Sequence, residues 1–315
     1  MSRIFLSGMM RSGTTLLQRA LDQHPKVSLS YQNKTRKILD LLKKFHGVKN
    51  LEKYHLLSHY SPNYDYSIQE LTRWLDENVD INTLLSPGES GAIIGVKEVL
   101  AEELVPFFVN HGVKCINIVR DPRDVIASIS FGNGIEHTGL ERPVLFDIKN
   151  WRKSVLVSYL LKDSDFLLTI RMEDLIESPE STMLSIYKFL NVDCQSFSIL
   201  VEKMNASTWK GNSSFGDKKV FDPSAIGNYK TVLSKDVVEY IETTCHEEMK
   251  YMKYQRDNAN LNANVISSYS DSFVVNRKEF EPHYSSNSEN VSYELNRSSL
   301  GIDELIEVEF LGFHR

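Results

Sequence analysis

Near the amino end of this chain a short apolar run, Ile4 to Ser7, passes directly into Gly8-Met9-Met10-Arg11-Ser12-Gly13-Thr14-Thr15. Leu16, Leu17 and Leu21 then follow at helical spacing. A strand that turns through two glycines into a helix aims the helix amino terminus and several backbone N–H groups at one point. That arrangement is an anion site. Such a turn needs a sheet to carry it, and three further runs supply one: Ile93 to Lys97, Cys115 to Val119 and Phe166 to Ile170. Each is short and β-branched or aromatic, and helical patterns separate them. The order predicts an α/β fold, a doubly wound parallel sheet flanked by helices.

The helices have readable starts. Ser67 with Glu70 forms a capping-box pattern ahead of Ile68, Leu71, Trp74 and Leu75. Ser178-Pro179 places a cap before a first-turn proline, ahead of Met183, Ile186, Phe189 and Leu190. Ser234 opens a long pattern with Val238, Ile241, Cys245, Met249 and Met252 on one face. From Gln255 to Leu300 the character changes: 46 residues hold eight Asn and ten Ser with little apolar periodicity. The expected organisation is one domain over 1–254, a linker or weakly ordered segment over 255–300, and a docking strand within 301–315. That last segment is also the expected place for a partner or for self-association.

Composition narrows the function. Hydrophobic residues are 41%, charged residues 25% and the net charge −6, which is globular and excludes a wholly disordered chain. An acidic balance argues against a dedicated nucleic-acid binder, so no nucleic acid is expected as partner. Cys115, Cys194 and Cys245 are too few and too scattered for a disulfide framework or a zinc site. No apolar stretch approaches the ~20 residues of a membrane helix. The amino terminus enters a strand pattern without a leader pattern, so a cytoplasmic protein without an integral membrane segment is expected.

The glycine loop departs from a nucleoside-triphosphate loop in one respect. Gly8 and Gly13 have the right spacing, but Thr14 stands where a lysine should follow the second glycine, and the cation has moved to Arg11. A phosphate or sulfate fits such a loop better than a magnesium nucleotide, so no metal is expected. A second anion site follows the third run, in Val119-Arg120-Asp121-Pro122-Arg123-Asp124-Val125-Ile126-Ala127-Ser128. Arg120 falls at a strand's carboxyl end, where open α/β sheets bind ligands, and Ser128 lies on the helix beyond. A guanidinium fork plus a hydroxyl suits a phosphate monoester. Arg123 and Asp124 read equally well as local ion pairs. Two anion sites at two strand ends imply a ligand with two anionic ends.

At these residues the chain resembles the sulfotransferases that use 3′-phosphoadenosine 5′-phosphosulfate, which have a P-loop NTPase-like fold. Arg11-Ser12-Gly13-Thr14-Thr15 looks like that family's 5′-phosphosulfate loop, and Arg120 through Ser128 like its 3′-phosphate motif. Gly95-Val96-Lys97 resembles the strand bearing a lysine near the transferred group. Ile170-Arg171-Met172-Glu173-Asp174-Leu175 with Ser178-Pro179-Glu180 and Phe189-Leu190 resembles a further segment, with Met172 in place of tyrosine. Asn212-Ser213-Ser214-Phe215-Gly216 and Ala225 to Lys230 resemble the late loop that closes over the nucleotide. The likeness covers about Ile4 to Tyr254 and is nearer to bacterial and tyrosylprotein types.

The resemblance implies that Arg11, Ser12, Gly13, Thr14, Thr15, Arg120 and Ser128 bind the donor, and that Arg11 and Lys97 act on the transferred group. The implied acceptor is a carbohydrate, lipid or other small molecule. Related enzymes typically place a glutamate base where this chain has Gln32, and a neutral amide cannot serve as that base. Glu98, next to Lys97, is the first candidate in its place and a histidine the second. An acceptor needing little base help and a protein that binds without turnover remain the alternatives. A non-catalytic nucleotide-binding scaffold and a small-molecule kinase with a degenerate loop are the competing functions. Tyr54, His55, His59, Tyr60, Tyr64 and Tyr66 suggest an acceptor pocket between Thr35 and Ser90.

Overall fold

A computed structural model of the chain describes residues 2–47, 67–85, 92–131, 142–206, 220–271, 280 and 283–311. Five parallel strands form one sheet: β1 (Ser2–Ser7), β2 (Val27–Tyr31), β3 (Ile93–Lys97), β4 (Lys114–Val119) and β5 (Leu167–Arg171). Their order is β2-β3-β1-β4-β5, which places β1 at the centre. The register pairs Leu6 with Lys97 on one side and with Ile116 on the other.

Side chains alternate across the sheet, so each strand feeds two cores. Phe5, Val96, Cys115 and Val119 face one core, shared with the helices Ile68–Asn78, Val105–Asn110 and Val144–Leu160. Ile4, Leu6, Ile116 and Ile118 face the other, shared with the helices Thr14–Asp22, Pro179–Leu190 and Phe197–Ala206. The sheet is therefore covered on both faces, as the strand–helix alternation predicts. The Ser67 capping box forms, with Glu70 N–H on the Ser67 hydroxyl at 3.1 Å and Ser67 N–H on the Glu70 carboxylate at 2.6 Å. Among the described residues no helix is long and apolar enough to cross a membrane.

Three expectations change. Strand β2 was not anticipated. Its sequence, VSLSY, alternates apolar and hydroxyl residues, the pattern of an edge strand with one solvated face. The long helix after Ser234 is two helices, Lys235–Thr244 and His246–Tyr251, broken at Cys245. The largest correction concerns the tail. Residues 255–300 include the helices Asn264–Ser268 and Ser288–Arg297, and residues 301–315 hold the helix Ile302–Ile306 and a π turn at Glu307–Leu311 in place of the expected strand.

The reason is chemical. The helix Ser288–Arg297 does have a buried stripe, but it is polar: Asn290, Glu294 and Arg297, at helical spacing. A search for apolar periodicity passes over it. Two of them, Asn290 and Glu294, meet charged groups of the helix Val144–Leu160, fifteen of whose seventeen residues are buried. A helix buried all round has to be covered on both sides. The sheet covers one side, where Asn117 donates to the Ser154 carbonyl at 2.8 Å. On the tail side Arg152 makes a bidentate pair with Glu294 at 2.6 and 2.8 Å, and Lys149 donates to Asn290 at 3.0 Å. Arg297 pairs with Glu248 and with Glu309.

Gly95 shows how closely the central strands approach. A Cβ there would lie 2.0 Å from the Ile4 carbonyl oxygen. Gly95→Ala is expected to destabilise the fold by about 3 kcal/mol, the upper end of ordinary overpacking. A urea midpoint equal to wild type would show that the strands can part to admit a methyl group.

Candidate functional site

The carboxyl ends of β1, β3 and β4 lie side by side, and the sequence-predicted residues gather there. The loop after β1 is shaped by its glycines. A Cβ on Gly8 would lie 2.4 Å from the Ile118 carbonyl oxygen, so the loop presses directly on β4. Gly13, at φ 88°, occupies the position before the helix Thr14–Asp22 in a left-handed conformation that favours glycine. Met172 forms the floor beneath it, 3.1 Å from where a Cβ would stand. The Ser12 hydroxyl is fully buried and has no hydrogen-bond partner. A buried hydroxyl donor without a partner inside such a loop fits an anionic oxygen.

Arg11 and Arg120 come together across 109 residues of sequence. Arg120 Nη1 donates to the Arg11 carbonyl at 3.0 Å, and Nη2 donates to the Ala225 carbonyl at 2.6 Å. Arg11 Nε donates to the Ser128 hydroxyl at 3.0 Å. The two anion sites read separately from the sequence thus share one wall. Burial, and then the neighbouring positive charge of Arg120, bring Arg11 down to about 10. The half-buried Arg11 and the buried Arg120, whose positive charges act on each other, raise the local potential for an anion.

The rest of the segment after β4 is structural. Arg123 is buried between Asp121 at 2.7 Å and Glu242 at 2.6 Å, with its guanidinium 4.3 Å from the Tyr229 ring centre. Asp124 accepts from Gly227 N–H at 2.7 Å and Tyr229 N–H at 2.9 Å, fixing the segment Ala225 to Tyr229 over the site. Glu173 accepts from Asp121 N–H at 2.9 Å and from the Tyr254 hydroxyl at 2.8 Å, which locks the turn that carries Arg120. The Ala225 carbonyl, Met172 and Glu173 were not assigned roles from the sequence. Only their place in the segments that follow β5 and precede Tyr229 marked them.

Lys97 reaches the same place from β3. Its Nζ lies 3.3 Å from the Thr15 hydroxyl and 4.2 Å from the centre of the Tyr31 ring, and the residue is 1% exposed. Glu98 is otherwise engaged. Its two carboxylate oxygens accept from Lys34 N–H and the Thr35 hydroxyl, each at 2.6 Å, at the start of the helix Thr35–His46. Gln32 is in a left-handed turn, φ 43°, with its N–H on the Lys97 carbonyl at 2.9 Å. The loop residues Asn212 to Gly216 lie outside the described residues. So do Tyr54, His55, His59, Tyr60, Tyr64 and Tyr66.

A glycine loop after the central strand, a second cation at the next strand end and a doubly wound parallel sheet define a P-loop-like α/β domain. The family model described as "Sulfotransferase domain" matches residues 1–253. The chain belongs to the sulfotransferase family.

No curated protein matches the chain. Among solved structures it is similar to the sulfotransferase domain from the curacin biosynthetic pathway, at 20% identity and a TM-score of 0.45, covering 81% of this chain and 98% of that one. Mouse sulfotransferase SULT7A1 complexed with PAP gives 15% identity, a TM-score of 0.46, and coverage of 84% and 87%. Retinol dehydratase in complex with androsterone and inactive cofactor PAP gives 17%, 0.44, and 83% of each chain.

Proposed function

We propose that this protein moves a sulfuryl group from 3′-phosphoadenosine 5′-phosphosulfate to a hydroxyl or amine of a carbohydrate, lipid or other small acceptor. The observation that carries this reading is the shared wall of Arg11, Arg120 and Ser128 between two strand ends. It suits a ligand with two anionic groups on one nucleoside. When bound, the donor supplies an activated sulfuryl group on an anhydride oxygen.

The residues divide the remaining work. Arg11, the buried Ser12 hydroxyl and the N–H groups opening the helix at Thr14 and Thr15 hold the 5′ end. Arg120 and Ser128 hold the 3′-phosphate, which also selects this donor over a nucleotide lacking it. Lys97, beside Thr15, stabilises negative charge as it develops on the departing oxygen. Gln32 orients the acceptor hydroxyl through its amide. With both oxygens of Glu98 engaged, we assign Glu98 to holding the Gln32 turn, and any role as base is secondary to that.

Titration with 3′,5′-adenosine bisphosphate should give micromolar affinity that is indifferent to magnesium. Absence of heat or shift at millimolar nucleotide would sink the reading, and a magnesium requirement would favour a kinase. Affinity should hold steady between pH 7 and 9. It should then fall as the pH rises through about 10, where Arg11 of the free protein gives up its proton. Labelled donor offered with a panel of sugars, lipids and phenols identifies the acceptor.

A further inference from the structure

Three of the six described residues that carry a side chain at positive φ stand at the carboxyl ends of neighbouring strands: Arg11 at 66°, Gln32 at 43° and Leu100 at 62°. A non-glycine residue in this region is strained and persists only where its surroundings hold it. Arg11 is held through its carbonyl by Arg120, and Gln32 through its N–H by the Lys97 carbonyl. Leu100 is held from behind the site. Its N–H donates to the Gly8 carbonyl at 3.2 Å, and its own carbonyl accepts from Lys153 Nζ at 3.2 Å.

Lys153 belongs to the buried helix Val144–Leu160. It lies 2.5 Å from the Glu103 carboxylate and 3.3 Å from that of Glu102, and all three side chains are 0% exposed. Burying three ionisable groups is a poor route to stability, because well-packed apolar residues do as well or better. Among the described residues, the cluster's hydrogen bond toward the site side is the one from Lys153 to the Leu100 carbonyl. Between Lys97 and Leu100 the chain makes one bond to the end of β1, Glu98 N–H to the Leu6 carbonyl at 3.0 Å, and one to the start of the anion loop, Leu100 N–H to the Gly8 carbonyl.

We infer that Lys153, clamped by Glu102 and Glu103, is a positioning residue for the transfer. It holds the left-handed turn at Leu100 and so fixes Lys97 and Glu98 against the anion loop. The inference rests on the proposed function only where it concerns turnover. The turn itself is a property of the chain and is measured separately.

The test compares wild type, Lys153→Arg and the triple variant Glu102→Gln, Glu103→Gln, Lys153→Met. The triple variant removes the three charges together and leaves no lone buried charge. The readouts are the melting midpoint, the affinity for 3′,5′-adenosine bisphosphate, conversion of the sulfate donor to that bisphosphate with water as acceptor, and amide exchange at residues 97–101. The triple variant should stay folded and bind the bisphosphate within about 3-fold of wild type. Its donor turnover should drop about 10-fold or more, and the Leu100 amide should exchange about 10-fold faster. Lys153→Arg, which keeps a donor, should retain most of both properties. An unchanged Leu100 exchange rate in the triple variant overturns the inference. So does a turnover loss that merely tracks lost bisphosphate affinity and a lowered melting midpoint. If wild type fails to bind the bisphosphate, the proposed function falls, while the exchange result still decides whether Lys153 holds the turn.

Discussion

Arg120→Ala should weaken binding of 3′,5′-adenosine bisphosphate by about 100-fold, close to 2.7 kcal/mol, while the protein stays folded. Arg120 is 6% exposed and bridges two backbone carbonyls, those of Arg11 and Ala225, between the anion loop and the covering segment. On the proposed function its removal deletes a charge-assisted contact to the 3′-phosphate, and in the free protein it releases the Arg11 carbonyl. The neighbouring Arg123 makes the contrast. Arg123→Ala leaves Glu242 and Asp121 buried without their cation, so its main effect should be on stability, about 3–5 kcal/mol. Calorimetric titration and urea denaturation of the two variants separate the roles. If Arg120→Ala binds within 3-fold of wild type, the 3′-phosphate assignment is wrong.

Glu294→Leu should cost about 3–5 kcal/mol of stability, a large share of the roughly 5–15 kcal/mol that holds a typical domain together. Arg152 is fully buried and spends its fork on Glu294, so the variant strands a guanidinium inside the core. Cutting the chain after Tyr254 removes Glu294, Arg297 and Glu309 together, and the fragment should be insoluble. Arg152→Met with Glu294→Leu should recover much of the loss, because it removes both charges at once. Melting curves of the three proteins check this. A 1–254 fragment with a wild-type melting midpoint would show that the tail is dispensable. Burial pushes the Glu294 carboxyl up, but Arg152 more than offsets this and holds it below the usual carboxylate range. Its folded state therefore binds fewer protons than the unfolded chain, and that part of the stability is lost as the pH falls below about 4.5.

Much of the sheet was legible because its inner strands are buried on both faces and so carry short, mostly apolar β-branched runs. β3 runs over the residues expected, and β5 begins one residue later than expected. β2 and β5 are both edge strands, but β5 carries Leu167, Leu168 and Ile170 nearly in succession, whereas Ser28 and Ser30 alternate through β2 and hide it. In the site, Arg11 and Arg120 could be singled out because each falls at a strand end or just beyond it, Ser128 because it lies on the helix that follows, and Lys97 through the family resemblance. Their mutual contacts could not. Nothing in the sequence announces that Arg11 Nε meets Ser128, or that Glu98 spends its carboxylate on Lys34 and Thr35. Such facts depend on side-chain direction after the chain has closed. The tail is hard to read in the sequence for a different reason: a stripe of Asn290, Glu294 and Arg297 carries no hydrophobic signal, although all three residues are buried.

The polar stripe also bears on synthesis. Trp151, Arg152 and Lys153 leave the ribosome well before their covering helix is made. Until Glu294 follows, the nascent chain exposes a helix that is apolar and cationic at once, with its sheet-side neighbours already in place. Completion of the core is then a late step, reached only when residues near 309 have emerged. Nascent chains stalled between residues 254 and 294 should be the forms most in need of chaperones.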